Sequence, residues 1–125
     1  MENLNIQGSS KTPEVNFFPS EGRLEISGRS IPENTMEFYS PVLQALEKYA
    51  LAPFSETIFK VQLEYFNTSS SKCLLDIFKK LQQIQAEGKS KIKVLWHYEE
   101  DDEDMLEAGE DYKSIVKLAF EMIKV

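Results

Sequence analysis

A small two-layer α/β domain, built on a mixed sheet with helices mainly on one face, is the fold this sequence predicts. Three observations carry the prediction. Segments with a two-residue apolar period alternate with segments whose apolar residues recur every three or four positions, the signature of strand–helix–strand units. The clearest strand alternates apolar with polar residues, whereas a central strand covered on both sides would be apolar throughout. The length of 125 residues suits one domain with a real core and would cramp two.

Residues 1–12 are polar and are expected to form a flexible N-terminal segment, leaving a single domain over 13–125. Val15–Phe18 and Arg23–Ser27 read as short strands around Pro19-Ser20-Glu21-Gly22, which has hairpin-turn composition. Gly28 and Pro32 then punctuate the chain before a first helix. Tyr39, Val42, Leu43, Leu46 and Tyr49 recur there at helical spacing, and Pro41 is expected in or near the first turn.

The segment from Thr57 to Phe66 has the strongest two-residue period: Phe59, Val61, Leu63 and Tyr65 point one way, Lys60, Gln62 and Glu64 the other. A second helix carries Leu74, Ile77, Phe78, Leu81 and Ile84 and ends near Glu87-Gly88. Ile92, Val94, Trp96 and Tyr98 form the next alternating strand. A third helix begins near the acidic run, with Met105, Ala108, Tyr112, Ile115 and Val116 at roughly helical intervals; Gly109 argues against one continuous helix. The tail from Leu118 to Val125 either finishes that helix or forms a short edge strand. The strand–helix–strand connections imply parallel pairing with right-handed crossovers.

Composition excludes several classes. The 42% hydrophobic and 28% charged content is that of an ordinary folded protein. Without an apolar run of roughly 20 residues or a secretory-type leader, cytoplasmic localisation without membrane insertion is expected. The net charge of -7 is concentrated: Glu99 through Asp111 holds nine of the 21 acidic residues and no Lys or Arg. The remaining 12 acids face 14 Lys and Arg, so the body is nearly neutral and offers nucleic acid no basic footprint. A protein partner with a basic surface fits the acidic run; a solvated loop is the alternative.

The equipment of an enzyme is missing. There is no glycine-rich phosphate loop, and the single histidine, His97, lies on the opposite strand face from Trp96 and Tyr98 with no nucleophile–base arrangement. One histidine and one cysteine make a poor transition-metal set. Cys73 reads as a small packed residue early in a helix. The run Glu99–Asp104 lacks the spacing and central glycine of a calcium loop, and Asp101 and Asp102 are candidates to cap the third helix. No catalytic, cofactor-binding or metal-ligating residue is assigned.

The run Tyr65-Phe66-Asn67-Thr68-Ser69-Ser70-Ser71-Lys72 is the most informative local feature. It joins a strand to a helix and places four consecutive hydroxyls where the first helical N–H groups have no intrahelical partner. One hydroxyl suffices as a cap. Four beside a lysine fit a phosphoacceptor site, because a helix N-terminus stabilises added negative charge; capping alone is the alternative. If the two flanking strands are parallel, this run and Asp101–Asp104 share one edge of the domain.

These segments carry a resemblance. Gly28-Arg29-Ser30-Ile31-Pro32-Glu33-Asn34, Phe38-Tyr39, Leu63 through Lys72, Asp101-Asp102-Glu103-Asp104-Met105 and Glu107-Ala108-Gly109-Glu110-Asp111 resemble the SiaC family of bacterial regulatory phosphoproteins, over Thr12 to Phe120. The resemblance implies a fold similar to anti-sigma-factor antagonists of the STAS type. It implies a threonine, here Thr68, phosphorylated by a partner protein kinase and dephosphorylated by a PP2C-like phosphatase. It further implies that the unphosphorylated form binds and activates a diguanylate cyclase, in cyclic-di-GMP signalling and biofilm formation.

Under that reading Ser69, Ser70 and Ser71 are candidates for helix capping and phosphate contacts, Asn67 for holding the strand-to-helix corner, and Lys72 for countering phosphate charge. Arg29 and Glu33 are candidates for partner recognition, or simply order the connection before the first helix. Asp101, Asp102 and Asp104 fit recognition better than catalysis. The alternatives are a small metal-dependent enzyme using the acidic edge, or a constitutive adaptor whose hydroxyl run is only a cap.

Overall fold

In the computed structural model, which describes residues 1–125, the alternating segments join one six-stranded sheet. The strands are β1 (Leu4–Ile6), β2 (Glu14–Phe18), β3 (Arg23–Ser30), β4 (Glu56–Phe66), β5 (Lys91–Tyr98) and β6 (Ala119–Lys124), arranged in chain order. Three helices connect the last four: α1 (Thr35–Tyr49), α2 (Thr68–Ala86) and α3 (Glu103–Ile115). β1, β2 and β3 pair antiparallel, and β3 through β6 are parallel. A right-handed crossover that always steps in the same direction lays each helix on the same face. Burial follows that rule, with Phe59, Val61 and Leu63 buried while Ile58, Gln62 and Glu64 face outward.

The core lies between this face and the helices. Phe78 of α2 stacks at tilted angles on Phe59, Tyr112 and Phe120, with centroids 4.9–5.5 Å apart, and Trp96 packs on Tyr112 at 5.6 Å. Each such pair contributes about 0.5–1.5 kcal/mol beyond area burial. This aromatic seam fixes α2 and α3 over β4, β5 and β6.

Several elements differ from the sequence reading. Within the segment expected to be flexible, Leu4–Ile6 is a strand whose Leu4 and Ile6 sit opposite Phe17 and Val15 and extend the core. Three residues carry too short a period to announce a strand. Asn34 caps α1 by accepting from the Glu37 N–H at 3.0 Å, so Pro41 lies in the second turn and not the first. It is exposed there, where water can bond the carbonyl it leaves without a donor.

Tyr65, expected on the core face, is 51% exposed. The register with β3 jumps from Gly28–Leu63 to Arg29–Tyr65, so Glu64 is an extra residue that reverses the alternation beyond it. Phe66 consequently turns inward and meets the edge of Trp96. α3 is continuous through Gly109, which is buried against Trp96 and Met122. Ile115, assigned to its inner face, is 62% exposed, and the tail after Leu118 is the strand β6.

Candidate functional site

At the carboxyl end of β4 the chain turns at Asn67, whose N–H donates to the Ser30 carbonyl of β3 at 3.1 Å. Its side-chain oxygen accepts from the Ser70 N–H at 2.8 Å and from the Ser69 hydroxyl at 3.2 Å. Asn67 is therefore the N-cap of α2, and Thr68 is the first residue of the helix.

Three of the four hydroxyls that follow are committed to the fold. Ser70 is fully buried; it donates to the Ser30 carbonyl at 2.9 Å and accepts from the Ser30 hydroxyl at 2.8 Å. The Tyr39 hydroxyl, 2.6 Å from Ser30 Oγ, completes the chain as its donor. Burial pushes Tyr39 up to about 12, so it keeps that proton at neutral pH. Ser69 Oγ lies 2.7 Å from Thr35 Oγ1, joining α2 to the first turn of α1. Ser71 Oγ donates to the Thr68 carbonyl at 2.6 Å, while the Ser71 carbonyl accepts from Tyr112 at 2.8 Å. Only Thr68 is exposed with a hydroxyl that has no partner in the fold. Its own N–H and that of Ser69 lie in the helix's first turn, where intrahelical acceptors do not exist.

The parallel pairing of β4 and β5 puts the other candidates on the same edge. Asp102 caps α3, its Oδ1 accepting from the Met105 N–H at 3.0 Å, and the Met105 carbonyl accepts from Trp96 Nε1 at 3.0 Å. Asp101 and Asp104 are exposed, with Asp104 in the first turn of α3. Lys72 is exposed, one helical turn beyond Thr68, and forms no ion pair. Arg29, at the end of β3, holds its guanidinium 5.9 Å from the Tyr65 ring centroid. Glu33 is exposed in the connection between β3 and α1.

The acidic residues are not gathered with His97 or Cys73 into a metal-ligating group. Cys73 is buried in α2 with Sγ 3.8 Å from Met36 Sδ, and burial, with the nearby Asp76 charge, pushes its thiol up. The sequence reading missed Thr35, Ser30, Tyr39 and Tyr112 as supports of the hydroxyl turn. Asn34-Thr35 signals a helix start, but pairing across 34 residues has no local signature. No helix is long and apolar enough to cross a membrane.

Comparison with known proteins gives this edge a context. An uncharacterized protein of Pseudomonas aeruginosa strain UCBPP-PA14 is 29% identical over 120 residues, 96% of this chain and 94% of its own length. The structure of SiaC of Pseudomonas aeruginosa superimposes with a TM-score of 0.91 at 26% identity, over 100% of both chains. A chain in the crystal structure of the diguanylate cyclase SiaD in complex with its activator SiaC, from the same species, matches with a TM-score of 0.91. That match has 28% identity and covers 98% of this chain and 99% of the other. Residues 6–125 match the description SiaC family regulatory phosphoprotein, and the chain belongs to that family.

Proposed function

We propose that this chain is a phosphorylation-switched binding protein with Thr68 as its phosphoacceptor. A partner kinase and a PP2C-like phosphatase cycle it, and the unphosphorylated form binds and activates a diguanylate cyclase. The observation that carries the reading is the division of labour in the hydroxyl run: Ser69, Ser70 and Ser71 are bonded within the fold, whereas Thr68 is exposed and free.

The chemistry of the position favours a phosphate. A group carrying about -1.5 to -2 charges at the first helical residue meets the open N–H groups and the positive end of the helix dipole. Lys72 is within one turn to counter its charge. Asp101, Asp102 and Asp104 on the same edge repel it, so modification changes both charge and volume where a partner would read Thr68. The Pseudomonas aeruginosa complex of a diguanylate cyclase with its activator SiaC supports the choice of output partner. Asn67 sets the corner, and Arg29 and Glu33 extend the recognised edge on the β3 side.

Site-resolved phosphopeptide mass spectrometry on protein from its native cells, with and without phosphatase, tests the switch. Phosphatase-sensitive modification at Thr68, with cyclase capture confined to the unmodified form, is the expected result. Well-covered peptides unmodified at Thr68 across growth conditions would leave constitutive binding as the reading.

A further inference from the structure

Two sulfur atoms meet at the seam between α1 and α2. Cys73, in the second turn of α2, is the only cysteine and is 1% exposed. Its Sγ lies 3.8 Å from Sδ of Met36, in the first turn of α1. Met36 is 64% exposed, the most open of the four methionines, and belongs neither to the core nor to the residues packed around it. An apolar side chain in water thus touches a buried thiol.

The surroundings make Met36 the movable part of this contact. Tyr39, one turn further along α1, is fully buried and held by its hydroxyl contact with Ser30. The hydroxyls of Thr35 and Ser69 tie the two helices together beside the sulfur pair. Burial, and then the charge of Asp76, push the Cys73 thiol up, so it keeps its proton and is a poor nucleophile while covered. Asp76 is itself exposed, which places the thiol close beneath the surface.

An accessible thioether is a target for hydroperoxides. The peroxide O–O bond breaks, its terminal oxygen bonds to a sulfur lone pair, and the peroxide leaves as the alcohol; the sulfur loses two electrons. The sulfoxide is polar and carries a strong acceptor oxygen, for which the S–H of Cys73 is only a weak donor. Water satisfies that oxygen better, so the oxidised side chain turns away from the seam. We propose that Met36 is a peroxide-sensitive cover, and that its oxidation to the sulfoxide opens Cys73 to thiol chemistry. Neither Thr68 nor its phosphate takes part, so the cover and the switch stand or fall separately.

Treatment of the full-length protein with tert-butyl hydroperoxide, followed by peptide mass spectrometry and timed alkylation with N-ethylmaleimide, tests it. Met36 should gain oxygen well before the buried Met105. Cys73 should then alkylate about tenfold faster than in untreated protein, because a local opening step has been removed. Met36→Ala should show the faster alkylation without peroxide. Met36→Leu keeps an apolar cover without the sulfur, and its Cys73 should stay slow before and after treatment, although the exposed Met1 still oxidises. Near-UV circular dichroism of each sample distinguishes local opening from unfolding. Oxidation of Met36 no faster than that of Met105 would overturn the proposal. So would equal alkylation of Met36→Ala and untreated protein, or peroxide opening Cys73 as readily in Met36→Leu.

Discussion

The hydroxyls of Thr35 and Ser69 lie 2.7 Å apart and join the first turns of α1 and α2. Each helix is capped separately by an asparagine, Asn34 and Asn67. Ser69 and Ser70 therefore act as tertiary ties instead of duplicate caps. The contributions of the serines should rank by burial. Ser70→Ala leaves the Ser30 hydroxyl and carbonyl short of partners in a dry site and should cost about 1–3 kcal/mol. Ser71→Ala, only half-buried and with a hydroxyl bonded solely to the preceding turn, should stay within about 0.5 kcal/mol. Urea unfolding of the two variants checks the order; equal losses would contradict the structure.

Because Asn67 supplies the cap, Thr68→Ala should abolish phosphorylation while changing stability by no more than about 0.5 kcal/mol. Asn67→Ala should cost about 1 kcal/mol, the ordinary effect of a lost N-cap. Unfolding curves of both, measured beside a kinase assay, separate signalling from folding. A large destabilisation in Thr68→Ala would mean that its hydroxyl is structural after all.

What the sequence discloses follows the range of the interaction. The alternation of Phe59, Val61 and Leu63, and the helical recurrence of Leu74, Ile77, Phe78 and Leu81, are local periods, and the sheet with helices on one face follows from them. The shared edge of the hydroxyl run and the acidic segment was legible for the same reason, since parallel strands fix where their following turns lie. Tyr65 was assigned inward because a bulge depends on pairing with Gly28 and Arg29, which no local pattern records. Which hydroxyl is free was equally hidden, since Thr35, Ser30 and Tyr39 arrive from other elements.

Gly109 illustrates packing overriding propensity. Glycine in a helix interior is about 1 kcal/mol worse than alanine, so a surface rule would favour Gly109→Ala. A Cβ at this position would stand 2.5 Å from Trp96 Cδ1 and Nε1 and 2.7 Å from Met122 Cε. Trp96 has little room to move, being fully buried and bonded to the Met105 carbonyl. Overpacking of this kind costs about 1–3 kcal/mol, and the variant should be destabilised on balance, with altered tryptophan fluorescence. A more stable Gly109→Ala protein would show that α3 can lift from the sheet.

Burial, and then the Lys60 charge, hold His97 below its ordinary range. A histidine whose folded value is depressed favours folding in its neutral form. That contribution is complete above the unfolded value of about 6.5 and is lost as pH falls from there toward the lower folded value. The urea midpoint should therefore decline on acidification through this window, before most carboxylates titrate. His97→Gln removes the titrating group while keeping a polar side chain, so its decline over the same window should be shallower. Parallel curves for the two proteins would mean that the ring is hydrated equally in the folded and unfolded chains.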